Sequence, residues 1–240
     1  MKLKHKKVYI ILVAFALCIG ACLLYVNDFY HVNAEDVAAF SAGSDVQRQI
    51  LSDGVLAFIP DTAYAGLIFY PGGKVEYTAY EPLMCACAEK GLLCVVVEMP
   101  FNLAVLDADA ATGIQEKFPY IDRWYIGGHS LGGSMAASYV ADNTADFEGL
   151  ILLASYSTAD LSESGLKVLS IYGSEDKVLN QEKYKEYKSN LPAGLTEHVI
   201  DGGNHAGFGM YGEQEGDGKA LISNKVQINH SAALIAEFIK

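Results

Sequence analysis

The chain has 240 residues, 51% of them hydrophobic, and a formal net charge of −12. That is enough apolar material for one domain with a substantial core. Setting aside Lys2, Lys4, Lys6 and Lys7 leaves 13 basic against 29 acidic residues, a net −16, which opposes binding to nucleic acid or to anionic lipid surfaces.

Val8 to Val26 contains 19 residues and no charge. As a helix it spans about 28 Å, close to the ~30 Å of a bilayer's hydrocarbon. Tyr9 and Tyr25 stand near its ends, where interfacial aromatics belong, and the four lysines before it put the N-terminus on the cytoplasmic side. We therefore expect residues 1–26 to be a cytoplasmic lysine cluster and signal anchor, with the body extracytoplasmic on a single-pass membrane protein. A typical cleaved signal has a shorter apolar run. Cleavage, with a cut after Ala34, would make the protein secreted. Ile19-Gly20-Ala21-Cys22 also resembles a lipobox, though the residues after Cys22 are apolar.

Residues 27–52 read as a connector, with a short helix at Ala34–Phe40, and residues 53–240 as one domain. Gly54–Ile59 is a first strand and Ala65–Tyr70 a second, running into Pro71-Gly72-Gly73-Lys74. Tyr77–Lys90 is a helix closed by Gly91, and Leu92–Val97 a strand. A helix is expected near Ala108–Lys117. Trp124–Ile126 leads as a strand into Gly128-His129-Ser130-Leu131-Gly132-Gly133, and Met135–Ala141 continues as a helix. Strands follow at Gly149–Ala154, Leu166–Tyr172 and Leu195–Ile200, with helices at Gln181–Leu191 and Lys225–Lys240. Continuously apolar strands alternating with helices predict a mostly parallel sheet covered on both faces, α/β in class. Five cysteines show no disulfide framework and no ligand spacing with histidine; Cys85, Cys87 and Cys94 read as core fillers.

In such a sheet, sites gather at the carboxyl ends of the strands. Four clusters sit there: Pro71-Gly72-Gly73, Ser130, Asp176 and His205. Gly128-x-Ser130-x-Gly132 places a serine on a sharp strand-to-helix turn, with small residues where strand and helix crowd it. A serine hydroxyl needs an imidazole to take its proton, and the imidazole needs a carboxylate to fix its tautomer. His205, after Gly202-Gly203-Asn204, is the expected base and Asp176 the expected acid. Glu175 comes one step early on that turn, Asp160 follows a different strand, and Asp201 lies too near His205 along the chain. His129, beside the serine, is expected to point elsewhere. The Leu131 N–H and the Gly73 N–H, with Lys74 as the next choice, are the expected oxyanion donors.

On these motifs, with Met99-Pro100-Phe101-Asn102-Leu103-Ala104 and Tyr172-Gly173-Ser174-Glu175-Asp176, the chain from Gly54 to Lys240 resembles the α/β-hydrolase superfamily. Within it the chain is similar to a bacterial, dienelactone-hydrolase-like branch often carried behind a membrane anchor. Dienelactone hydrolases proper use a cysteine nucleophile; Ser130 stands in that place here, so their lactone substrate is not carried over. The resemblance implies hydrolysis of an ester or related acyl bond in a small molecule, with no metal and no cofactor. The same fold could serve a non-catalytic envelope binding protein, and the same triad an acyltransferase or a peptidase. The ten residues Ser155–Ser164 leave no room for a large lid. This predicts an open site, some cover from Ala206–Ser223, and small or exposed acyl groups as substrates.

Overall fold

The computed structural model describes residues 2–41, 44–51 and 54–240. The boundary expected at Ser52–Asp53 lies outside the described residues. So do the side chains of residues 1–8 and 23, and with them the lysine cluster.

Among the described residues, eight strands form one sheet: β1 (Gln47–Ile50), β2 (Val55–Ile59), β3 (Ala65–Tyr70), β4 (Leu92–Val97), β5 (Trp124–His129), β6 (Gly149–Leu153), β7 (Lys167–Gly173) and β8 (Thr196–Ile200). Their spatial order is β1-β2-β4-β3-β5-β6-β7-β8. The β1–β2 and β2–β4 pairs are antiparallel, and every other neighbouring pair is parallel. The central strands bury both faces because every residue in them is apolar or small. Period-two alternation then sorts their side chains. Leu67, Phe69, Val96, Tyr125 and Ile151 face one way, against α3 (Glu81–Ala88) and the closing α6 (Asn224–Ile239). Ile68, Tyr70, Val95, Ile126 and Leu150 face the other, against α4 (Leu131–Asp142). Each such aliphatic or aromatic side chain contributes about 1.5–3 kcal/mol by leaving water.

The structure departs from the sequence reading at three elements. The connector contributes β1, a polar strand with all four residues exposed. No apolar alternation marks it. It is held at the edge by its ladder to β2 and by Arg48, whose guanidinium grips the buried Glu81 carboxylate through two 2.7 Å bonds. Residues 108–117, expected as a helix, fold instead as turns with a short 3₁₀ segment at Gln115–Lys117. The buried Tyr70 hydroxyl competes for that backbone, donating to the Ala108 carbonyl at 2.8 Å and accepting the Ala111 N–H at 2.9 Å. Gly113, at φ 75°, interrupts the rest. The helix expected over Tyr77–Lys90 is a 3₁₀ turn at Tyr77–Tyr80 followed by α3.

At the N-terminus, α1 (Lys2–Asn27) is followed by α2 (Ala34–Ser41). Tyr9–Asn27 is long and apolar enough to cross a membrane, and none of it is buried against the body. Between the two helices the chain lies across the body as a strap. The Tyr30 N–H donates to the Lys74 carbonyl (2.7 Å), the Glu76 N–H to the Tyr30 carbonyl (3.0 Å) and the Asn33 N–H to the Met210 carbonyl (2.7 Å).

Candidate active site

Ser130 stands between β5 and α4 at φ 52°, ψ −123°, a conformation rarely adopted by a residue with a side chain. The strain is held in place by the surroundings. Its N–H donates to the Leu153 carbonyl of β6 (2.9 Å), and its carbonyl accepts the Ser155 hydroxyl (2.7 Å). Only glycine fits at the two flanking positions. A Cβ on Gly128 would stand 2.6 Å from the carbonyl carbon of Gly132, and one on Gly132 would fall inside the carbonyl oxygens of Pro71 and Tyr70. The turn therefore brings the start of α4 against the end of β3.

His205 follows β8 and Asp176 follows β7; Nδ1 and Oδ2 are 2.9 Å apart, with both side chains closed to solvent. The other carboxylate oxygen of Asp176 accepts the N–H groups of Val178 (2.9 Å) and Leu179 (2.8 Å). A carboxylate so held accepts only, so it fixes the His205 proton on Nδ1 and leaves Nε2 as the acceptor. That Nε2 is buried and has no partner among the described residues. His205 and Ser130 line the same cavity of about 240 Å³, with Leu131, Ser134, Ala154, Ser155, Tyr156 and the Val178–Asn180 segment.

Of the other acids, Glu175 engages the Ser174 hydroxyl, Asp160 turns to Ser162 at the surface, and Asp201 is exposed. None of these contacts reaches His205. The His205 turn is built by residues that no sequence motif marked. The Asp217 carboxylate accepts the Ala206 N–H (2.9 Å) and the Lys177 N–H (3.3 Å), tying the His205 turn to the Asp176 turn. The Gln227 amide brackets Asn204 through its N–H and its carbonyl. The Ala206–Ser223 segment, expected as cover for the site, contributes no residue to the Ser130 cavity, and Ala206 to Tyr211 are buried.

Gly73 packs directly on Leu131, where a Cβ would stand 2.9 Å from its Cδ2. The neighbouring amides are engaged: Gly72 N–H donates to the Tyr80 hydroxyl (3.0 Å) and Lys74 N–H to the Asn102 carbonyl (2.7 Å). The Gly73 N–H meets no acceptor among the described residues. Leu131 opens α4, and the first amides of a helix have no partner within it. Gly73 and Leu131 thus offer two amides on adjoining backbone, while Lys74, the next choice, has its own already used.

His129 does not line the cavity with Ser130, but it does touch the site. Its ring lies 4.5 Å from the His205 ring, and its Nδ1 is 2.8 Å from the Tyr80 hydroxyl. Strand parity could have found it, since it shares the sheet face of Tyr125 and Gly127. Burial holds its pKa well below 6.5; the charge of a protonated His205 acts the same way, and a main-chain group of His205 opposes both. With the Gly72 amide donating to Tyr80, the phenol donates on to a neutral His129.

Below about pH 6.5 the unfolded chain takes up a proton at His129 that the folded protein refuses. The stabilisation is complete above that pH and falls as pH drops further, by up to ~1.4 kcal/mol per unit for this group. Urea unfolding of the full chain in detergent at pH 7 and pH 5.5 should show the loss, and His129→Gln should reduce it. An equal loss in both proteins would assign the acid sensitivity to other groups.

A family model described as "Alpha/beta hydrolase family" matches residues 66–229. No curated protein matched the sequence. Among solved structures, the chain is similar to one described as a predicted CIB-like hydrolase from Thermoplasma acidophilum (TM-score 0.57, 16% identity, covering 81% of this chain and 100% of that one). It is similar to TT1662 from Thermus thermophilus (TM-score 0.60, 15% identity, 81% and 98% covered). It is also similar to a candidate lipase, lip1, from Acinetobacter baumannii AYE (TM-score 0.60, 12% identity, 85% and 95% covered). At these identities the structural likeness speaks for the fold, and the family match, over more than half of the sequence, carries the assignment: the chain belongs to the alpha/beta hydrolase family.

Proposed function

We propose that the protein is a serine hydrolase of carboxylesterase type, cleaving an ester or related acyl bond of a small molecule through an acyl-enzyme. Ser130 attacks the acyl carbon and His205 Nε2 takes its proton. Asp176 holds the imidazole in the required tautomer, and the Gly73 and Leu131 amides receive the developing oxyanion. His205 returns the proton to the leaving group, and a water then releases the acyl group. One observation carries this reading: the buried His205–Asp176 pair at 2.9 Å leaves His205 Nε2 without a partner among the described residues, and His205 lines the same cavity as Ser130.

The hydrolase domain is residues 53–240 together with the edge strand β1 that the 27–52 connector contributes to its sheet, and residues 1–26 are an anchor that holds it outside the cytoplasm. Retention of the anchor is supported by the strap. A cut after Ala34 would detach Tyr30 from Lys74 and Glu76, beside the Gly73 amide, and Asn33 from Met210. The cavity, about 240 Å³, lies below the roughly 300–1,000 Å³ of sites for drug-sized ligands, which favours a short acyl group. The test is hydrolysis of p-nitrophenyl acetate, butyrate and palmitate by the full chain. Turnover of the two short esters above that of heat-denatured protein supports the proposal; no turnover of any ester, or palmitate far ahead of acetate, counts against the function or the substrate class respectively.

A further inference from the structure

The end of α1 lands on the loop that carries the Gly73 amide. Asp28, one residue past the helix, pairs with the Lys74 ammonium at 2.8 Å, and the same ammonium lies 4.6 Å from the centre of the Tyr25 ring. The Lys74 N–H in turn holds the Asn102 carbonyl at 2.7 Å, and α1 packs beside the Pro100–Asn102 turn. Phe101 in that turn has φ 53° and Asn102 φ 57°, a strained pair of left-handed residues. The result is an outward-facing Phe101, 60% exposed, followed by Val105 at 56% and Leu106 at 55%.

An apolar helix that ends at Asn27 fixes where the aqueous boundary must lie. Tyr25 belongs at headgroup depth, and whatever touches Tyr25 and Asp28 lies at that boundary too. We infer that the surface formed by Phe101, Val105 and Leu106 seats in the outer layer of the bilayer that α1 spans. The Ser130 site would then open beside the headgroups, on acyl groups presented at the membrane surface. The inference rests on the reading of α1 as a membrane anchor. Charge favours an apolar seat over an electrostatic one, because the chain beyond the N-terminal lysines carries −16 and anionic lipid repels it.

The test uses full-length Phe101→Trp and Leu106→Trp proteins in vesicles of phosphatidylcholine, with and without acyl chains brominated near the carbonyl end. Tyr120→Trp is the reference, since exposed Tyr120 precedes β5 at the opposite end of the sheet. Interfacial side chains reach about 5–10 Å into the headgroup boundary, so emission from the two test positions should fall roughly two-fold with brominated lipid while Tyr120→Trp is unchanged. Quenching no greater than that of Tyr120→Trp would overturn the docking surface. Failure of the protein to float with the vesicles would overturn the anchor and the surface together. The readout does not involve turnover, so an inactive protein that is still quenched would contradict the hydrolase proposal alone.

Discussion

His205→Ala should lower kcat/KM for p-nitrophenyl acetate by about 10⁴-fold, roughly 5 kcal/mol of transition-state stabilisation, with KM little changed. The size follows from the absence of a substitute. His129 is the nearest other imidazole, but its Nδ1 is taken by the Tyr80 hydroxyl and its ring lies outside the cavity. Burial also keeps it from holding a proton, so it can neither accept from Ser130 nor mimic the imidazolium that forms at His205. Removing His205 further leaves the Asp176 carboxylate buried without its third donor. Steady-state kinetics on protein whose circular dichroism matches the wild type measures the loss. A loss below ten-fold would mean that another group takes the proton, and the assignment of His205 would be wrong.

A large effect on stability is expected at Gly132. Alanine there sets a Cβ against the carbonyl oxygens of Pro71 and Tyr70, which are backbone atoms at the end of β3 and cannot rotate away. Either α4 backs off the sheet or the loop carrying Gly73 shifts, and both are packed against the core. Overpacking alone typically costs 1–3 kcal/mol, and a backbone clash at a strained turn adds to it, so we expect about 4 kcal/mol or more by urea unfolding. Gly194→Ala is the control: nothing lies within 4 Å of its Cβ, and its effect should stay within about 0.5 kcal/mol. Equal midpoints for the two variants would show that the close approach of β3 and α4 is softer than the geometry states.

What the sequence made legible was whatever a local pattern could carry. Solid apolar runs such as Leu92–Val97 announced buried parallel strands, and the glycine spacing around Ser130 announced the turn. His205 and Asp176 each follow a strand, β8 and β7, and the structure brings them together at 2.9 Å. What escaped was set by contacts distant in sequence. β1 has no apolar pattern and exists through β2 and Glu81. The turns at 108–117 exist through Tyr70, about forty residues away. His129, expected from its place beside Ser130 to point elsewhere, is sent by strand parity to the His205 ring. Asp217, Gln227 and the Tyr30 strap shape the site through hydrogen bonds to backbone, and no residue pattern signals those in advance.

In the proposed function Ser130 is a nucleophile activated by His205. The most direct measurement is reaction of the full-length protein with a fluorophosphonate probe, followed by peptide mass mapping. Mapping matters because Ser134 and Ser155 line the same cavity. One adduct is expected, on Ser130, and none in Ser130→Ala. No labelling of the wild type, or undiminished labelling of Ser130→Ala, would contradict it.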